Sequence, residues 1–351
     1  MTSWKGLREQ KIDAIVRGLV AGDNLSWMGD AHRVHLLPER RARMLHDMAI
    51  FSESRMSTTR PVPHAHSSPT DALRPGPADD VEWFAVSTES MLDALAGLDP
   101  LDRWRRLAGE ADSIRARSGT HYALANLRRG LVPPQSGNDN AHYFDDIACV
   151  RAVAMALFAH DADSAAQLAA RDAHVTHALD GVWCASAVGV LVHQLAEGAK
   201  LADAIRRATK ELPEGSWSRR AVDRAMGIAA SAAGPLDLAY DLRNTLTDRI
   251  YTYSVAAPET VAILFAHASI SRTAEQLMMG ALANPRNTDA LPALAGAVAG
   301  AAFGSEWMPR ALRTGPIEID GVCIPELAGT TVDALIDRVI DATRESPRPH
   351  A

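Results

Sequence analysis

The stretch NPRNTDALPALAGAVAGAAFG, Asn284 to Gly304, decides how this chain is read. From Ala290 onward small residues fill nearly every position, so as a helix it would let a neighbouring backbone come close. Just ahead, Asn287 and Asp289 stand two residues apart at the helix entrance. The ordinary account of such residues is capping, because Asn or Asp before a periodic run satisfies the first free amides. Whether that account suffices depends on the rest of the chain.

The composition is that of a soluble globular protein, with 47% hydrophobic and 23% charged residues among 351. Alanine and leucine carry the apolar total and aromatics make up only 5%, which favours helix over sheet. A net charge of -7 with scattered Lys and Arg leaves no footprint for nucleic acid. No run of about 18 uncharged apolar residues occurs, so a membrane span is not expected. The start, MTSWKGLREQKID, is amphipathic and charged without an apolar signal core, and the expected location is the cytoplasm. Cys149, Cys184 and Cys323 are odd in number and far apart, as suits reduced, buried thiols.

Apolar periodicity predicts a first helix over 5–21, ending at Gly22. The Pro- and His-rich segment 52–78 reads as a long loop. From Asp79 onward nearly every segment is helical in period, including an unbroken stretch over 100–130. GPIEIDGVCIP, 315–325, suits a small hairpin. The expectation is an all-α chain of about a dozen helices, one domain over 1–345, with 346–351 a frayed tail. His64 and His66 form an HAH pair that lacks a third clustered partner for a transition metal.

Four polar clusters interrupt the helical background. They are AGDNLSWMGD ending at Asp30, GPADDVEWF with Asp79 and Asp80, PPQSGNDNAHYFDDIACVR followed by THALDG, and RNTDA. Taken singly each has a plain structural reading. Acids in a first turn suit the helix dipole, Asp23 after Gly22 can belong to a turn, and Arg151 can pair with Asp145 or Asp146.

Taken in order, they resemble the ADP-ribosylglycohydrolase superfamily over about residues 10 to 310. GDNLS resembles its G-D-A-L-G; ADDV resembles its T-D-D-T; DDIACVR resembles the loop ending in G-N-G-x-x-M-R; Thr176-His177 resembles its T-H. NTDALPALAGAVAGAAFG resembles D-T-D-T followed by a small-residue helix. The resemblance implies a compact orthogonal helical bundle in which two acidic motifs face each other and hold magnesium or manganese. Carried over, the metal donors are Asp79, Asp80, Asn287 and Asp289. Three carboxylates and an amide suit one ion better than two, and the same acids could instead be caps without metal. Asp30 would be the general base, with Asp80 also catalytic. Gly137, Asn138, Asp145, Asp146, Arg151 and His177 would meet the substrate. Acids at 145–146 beside family glycines disfavour a diphosphate there unless Gly137 and Asn138 take it over.

The implied activity is hydrolysis of an N-glycosidic bond to ribose in an ADP-ribosyl or nucleoside-like small molecule, by a monomer or weak homodimer. The alternatives are a non-catalytic binder of a nucleoside-like ligand, or the scaffold recruited to another reaction.

Overall fold

The computed structural model describes residues 4–35, 77–246, 255–284 and 289–345, with side chains of the first helix described over 6–26. Sixteen α-helices run through the described residues. They are α1 (Trp4–His35), α2 (Asp79–Leu95), α3 (Pro100–Gly109), α4 (Ser118–Arg128), α5 (Gln135–Asn138), α6 (Ile147–Phe158), α7 (Ala162–Ala173) and α8 (Asp180–Ala196). Then follow α9 (Leu201–Thr209), α10 (Trp217–Ala229), α11 (Pro235–Thr245), α12 (Ala257–Ile270), α13 (Ala274–Ala283), α14 (Ala290–Phe303), α15 (Arg310–Thr314) and α16 (Val332–Glu345). The chain is all-α. Extended pairing includes two isolated bridges, Asp145 with Ala256 and Glu318 with Thr331.

Local chemistry explains many helix starts. Asp99 accepts from the Leu101 amide at 3.0 Å with Pro100 in the first turn of α3. Asp161 and Ser164 form a capping box at α7. The helices fall into two kinds. Every residue of α6 is buried, as is α14 from Ala290 to Ala301, so both are apolar all round and form the centre. Outer helices bury one stripe; α9 buries only Ala204, Ile205 and Ala208. Cys149, Cys184 and Cys323 are free and buried. Among the described residues no helix is long and apolar enough to cross a membrane.

The small-residue stretch of α14 packs on α1. A Cβ on Gly18 would lie 2.2 Å from the Gly296 carbonyl oxygen, and one on Gly22 would lie 1.9 Å from that of Pro292. Only glycine permits this backbone-to-backbone approach. Gly22 therefore does not end the first helix, as its sequence suggested. The helix continues to His35 and uses Gly22 as a contact. The seam sets Asp23, next in line on α1, near the start of α14.

Two other expectations are corrected. The stretch 100–130 is broken between α3 and α4, and the break carries Arg117 into the core, 1% exposed. The hairpin at 315–325 is absent. The first half of that segment pairs with 329–332, and Glu82 of α2 accepts from the amides of Val322, Cys323 and Ile324 at 2.8, 2.9 and 2.7 Å in its second half. Residues 52–76, with His64 and His66, lie outside the described residues, as does the tail 346–351.

Candidate functional site

The acids singled out in the sequence do meet. The start of α2 carries Asp79 and Asp80, 3% and 0% exposed, and its cap comes from another helix. Oδ2 of Asp23 accepts from the amides of Ala78 at 2.6 Å and Val81 at 3.2 Å. Asp23, and not Asp79 or Asp80, therefore supplies the cap of this helix. Asp289 stands at the N-cap position of α14 but makes no side-chain capping bond there. Its carboxylate turns to Arg117. Capping therefore does not account for Asp289.

Arg117 is the centre of the cluster. Its Nη2 lies 3.1 Å from Oδ1 of Asp80, 3.2 Å from Oδ2 of Asp289 and 3.9 Å from Oδ2 of Asp79. Its Nη1 donates to Oδ1 of Asp146, whose Oδ2 accepts from the Thr260 hydroxyl at 2.6 Å. Burial by itself would lower the guanidinium's proton affinity. The carboxylates of Asp289, Asp146, Asp80 and Asp79 outweigh it and hold the group charged.

One guanidinium does not neutralise these acids. Burial pushes the Asp80 carboxyl well above its usual range, and the Asp79 carboxylate adds to the effect, while Arg117 opposes it. Asp23 is raised in the same way, by burial first and then by Asp79. Asp146 is pushed up to about 7 by burial against the pull of Arg117 and Thr260. Oδ2 of Asp80 and Oδ1 of Asp23 are buried with no hydrogen-bond partner. Such oxygens are costly to leave unpaired.

The other predicted residues form a second, closed network. Asp145 and His177 are fully buried, and His177 Nε2 lies 2.8 Å from Oδ1 of Asp145. Burial would raise Asp145, yet the charge and hydrogen bond of His177 bring it below the usual carboxylate value. His177 Nδ1 lies 2.6 Å from the Thr176 hydroxyl, which accepts from Arg151 at 2.8 Å. Arg151 pairs with Asp172 at 2.8 Å, not with Asp145 or Asp146, and lies over the Trp104 ring at 4.9 Å. Asp145 and Asp146, expected to meet the substrate, are both 0% exposed, Asp145 against His177 and Asp146 against Arg117 and Thr260. Gly137 is packed on His177, where a Cβ would come within 2.3 Å of its carbonyl oxygen. Asn138 is exposed at the end of the short α5. Asn287 and the Asp30 side chain lie outside the described residues.

Arg117, Asp23 and Thr260 were not predicted as site residues. In RARSG nothing distinguishes Arg117 from Arg115 two residues before it. Thr260 carries no local signal beyond the start of an apolar helix. Asp23 did carry one, in its position beside Gly22.

The ADP-ribosylglycohydrolase family model matches residues 6–348 of the chain. The chain belongs to the ADP-ribosylglycohydrolase family. Among solved structures, an ADP-ribosylglycohydrolase-related protein complex is similar at 18% identity and a TM-score of 0.60, over 97% of this chain and 99% of that one. No protein of curated function matches. The fold is thus of the glycohydrolase type.

The family generally uses divalent metal ions. A hard cation needs several oxygens about 2.0 to 2.6 Å from one point. In this chain the point on which Asp80 and Asp289 converge is filled by Nη2 of Arg117. Among the described residues no group of three or more His, Cys, Asp or Glu is arranged to hold a metal ion. Asn287 lies outside the described residues, and the described acids, Asp79, Asp80 and Asp289, are arranged about Arg117 and not about a point that fits a magnesium or manganese ion.

Proposed function

We propose that this ADP-ribosylglycohydrolase hydrolyses an N-glycosidic bond to ribose in an ADP-ribosyl or nucleoside-like small molecule, with Asp79, Asp80 and Asp289 as the ribose-binding acids. The observation that supports this reading is Oδ2 of Asp80, buried and unpartnered beside Asp289, whose side chain is 28% exposed. Ribose hydroxyls are donors and would satisfy such oxygens. The carboxylates also favour the positive charge that develops at the anomeric carbon as the bond to nitrogen breaks. The bonding pair leaves on nitrogen, water oxygen bonds to the anomeric carbon, and the water proton passes to a carboxylate and on to the leaving nitrogen. Asp289 reaches solvent and can take that proton. Asp30, the base implied by the family resemblance, is the second candidate.

The test is release of free aglycone from ADP-ribosyl-arginine, an ADP-ribosyl-serine peptide and a panel of N-ribosides, followed by chromatography. The expected result is turnover of at least one class, lowered about a hundredfold by Asp80→Asn. Parallel Asp30→Asn and Asp289→Asn variants identify which acid takes the proton. Failure to release aglycone from any of these, even with enzyme equimolar to substrate, would refute the hydrolase reading.

A further inference from the structure

We infer that Arg117 is a built-in counter-ion standing in the place of a divalent cation, so that this acid cluster takes a neutral polyol ligand without added metal. The inference concerns the charge at the site, and it stands whether or not the ligand is then hydrolysed.

Three observations carry it. The first is position. Nη2 of Arg117 lies within 3.2 Å of oxygens from both acidic motifs, Asp80 on α2 and Asp289 at α14, with Asp79 at 3.9 Å. A cation held by those same oxygens would occupy the same point. The second is how the guanidinium is used. Its two terminal nitrogens serve the acids, while Nε has no hydrogen-bond partner. The group is held by the acids and does not tie down backbone. A second positive charge of two units at contact distance would be repelled by it, so Arg117 and a divalent ion exclude each other.

The third is what remains open. Oδ2 of Asp80, a residue that is 0% exposed, has no partner, and neither does Oδ1 of Asp23, 1% exposed. When ionised these oxygens only accept, in a region already rich in acidic groups. An anionic group is disfavoured there, and a divalent cation is displaced by Arg117. Hydroxyl donors of a sugar diol satisfy the oxygens without adding charge. Arginine also stays charged at any working pH, so the counter-ion is permanent.

The test is metal binding. Manganese chloride is titrated into protein stripped with a chelator, free ion is read by electron paramagnetic resonance, and unfolding temperature is followed in parallel. The wild type should leave manganese free at millimolar concentration and show no shift in unfolding temperature with manganese or chelator. Arg117→Ala and the longer Arg117→Met, which keeps the buried stem, should bind at least one ion more than tenfold tighter than wild type. Their unfolding temperature should then rise with manganese. Arg117→Lys, which keeps the charge, should behave like wild type. Tight manganese binding by the wild type would overturn the inference. So would a folded Arg117→Met protein that gains no affinity. None of these readings depends on turnover, so they are separate from the hydrolysis assay.

Discussion

Of the three buried acids in the first turn of α2, Asp80 and Glu82 meet opposite fates. Glu82 spends both carboxylate oxygens on the amides of Val322, Cys323 and Ile324. Asp80, two residues earlier, spends one oxygen on Arg117 and leaves the other buried without a partner. Both are 0% exposed, and burial raises both. The difference lies in saturation. Glu82 fastens the 315–331 segment to the core and has nothing left to offer a ligand. Asp80 carries an electrostatic cost that folding does not require, because the helix end it occupies is already capped by Asp23. A buried acid that is not saturated is the better candidate for function.

The contrast can be broken from either side. The largest expected effect is on Glu82. Glu82→Ala strands three amides and should cost about 4 kcal/mol in urea or thermal unfolding, while any ligand affinity per folded molecule stays unchanged. Equal stability of this variant and wild type would remove the tether. Next in size, burial lowers the His267 imidazole to about 4, so folded His267 stays neutral where the unfolded chain takes up a proton. The unfolded state binds more protons between about 6.5 and 4, and stability falls as pH drops through that window. The loss is about 3 kcal/mol, complete below pH 4. The slope should be missing from His267→Gln, and measuring both proteins in urea from pH 7 to 4 isolates it from the acids that titrate nearby.

A smaller effect is expected where α1 meets α14. Gly22→Ala places a methyl 1.9 Å from the Pro292 carbonyl oxygen, far inside ordinary contact, and must force the two helix backbones apart. About 2 kcal/mol of stability should be lost. Because Asp23 is the next residue, ligand binding should weaken along with it, in contrast to Glu82→Ala. If Gly22→Ala weakens stability alone, the seam does not position the site.

Much of this arrangement was legible in the chain. The Ala- and Leu-rich periodicity carries the all-α fold, and the glycines of α14 carry the close seam with α1, because small-residue spacing translates directly into backbone distance. The meeting of Asp79 and Asp80 with Asp289 was legible through the order of the motifs. Its centre was not. Arg117 is one arginine among many, placed by a break between α3 and α4 that helical periodicity ran straight across. Asp145 and His177 were legible as residues that belong together, at 2.8 Å, but not as an inward-facing pair. Which way a loop carboxylate turns depends on distant partners, and His177 lies 32 residues from Asp145. Glu82 went unread for the same reason, since its partners lie some 240 residues away.

The claim that matters most is that the open oxygen of Asp80 exists for a ligand, and calorimetric titration of ADP-ribose and of ribose into wild type and Asp80→Asn tests it directly. Wild type should bind at least one of the two with no metal added, and Asp80→Asn should bind at least about tenfold more weakly while unfolding within a few degrees of wild type. Equal affinity in the two proteins would contradict the account and leave Asp80 as one more buried partner of an arginine.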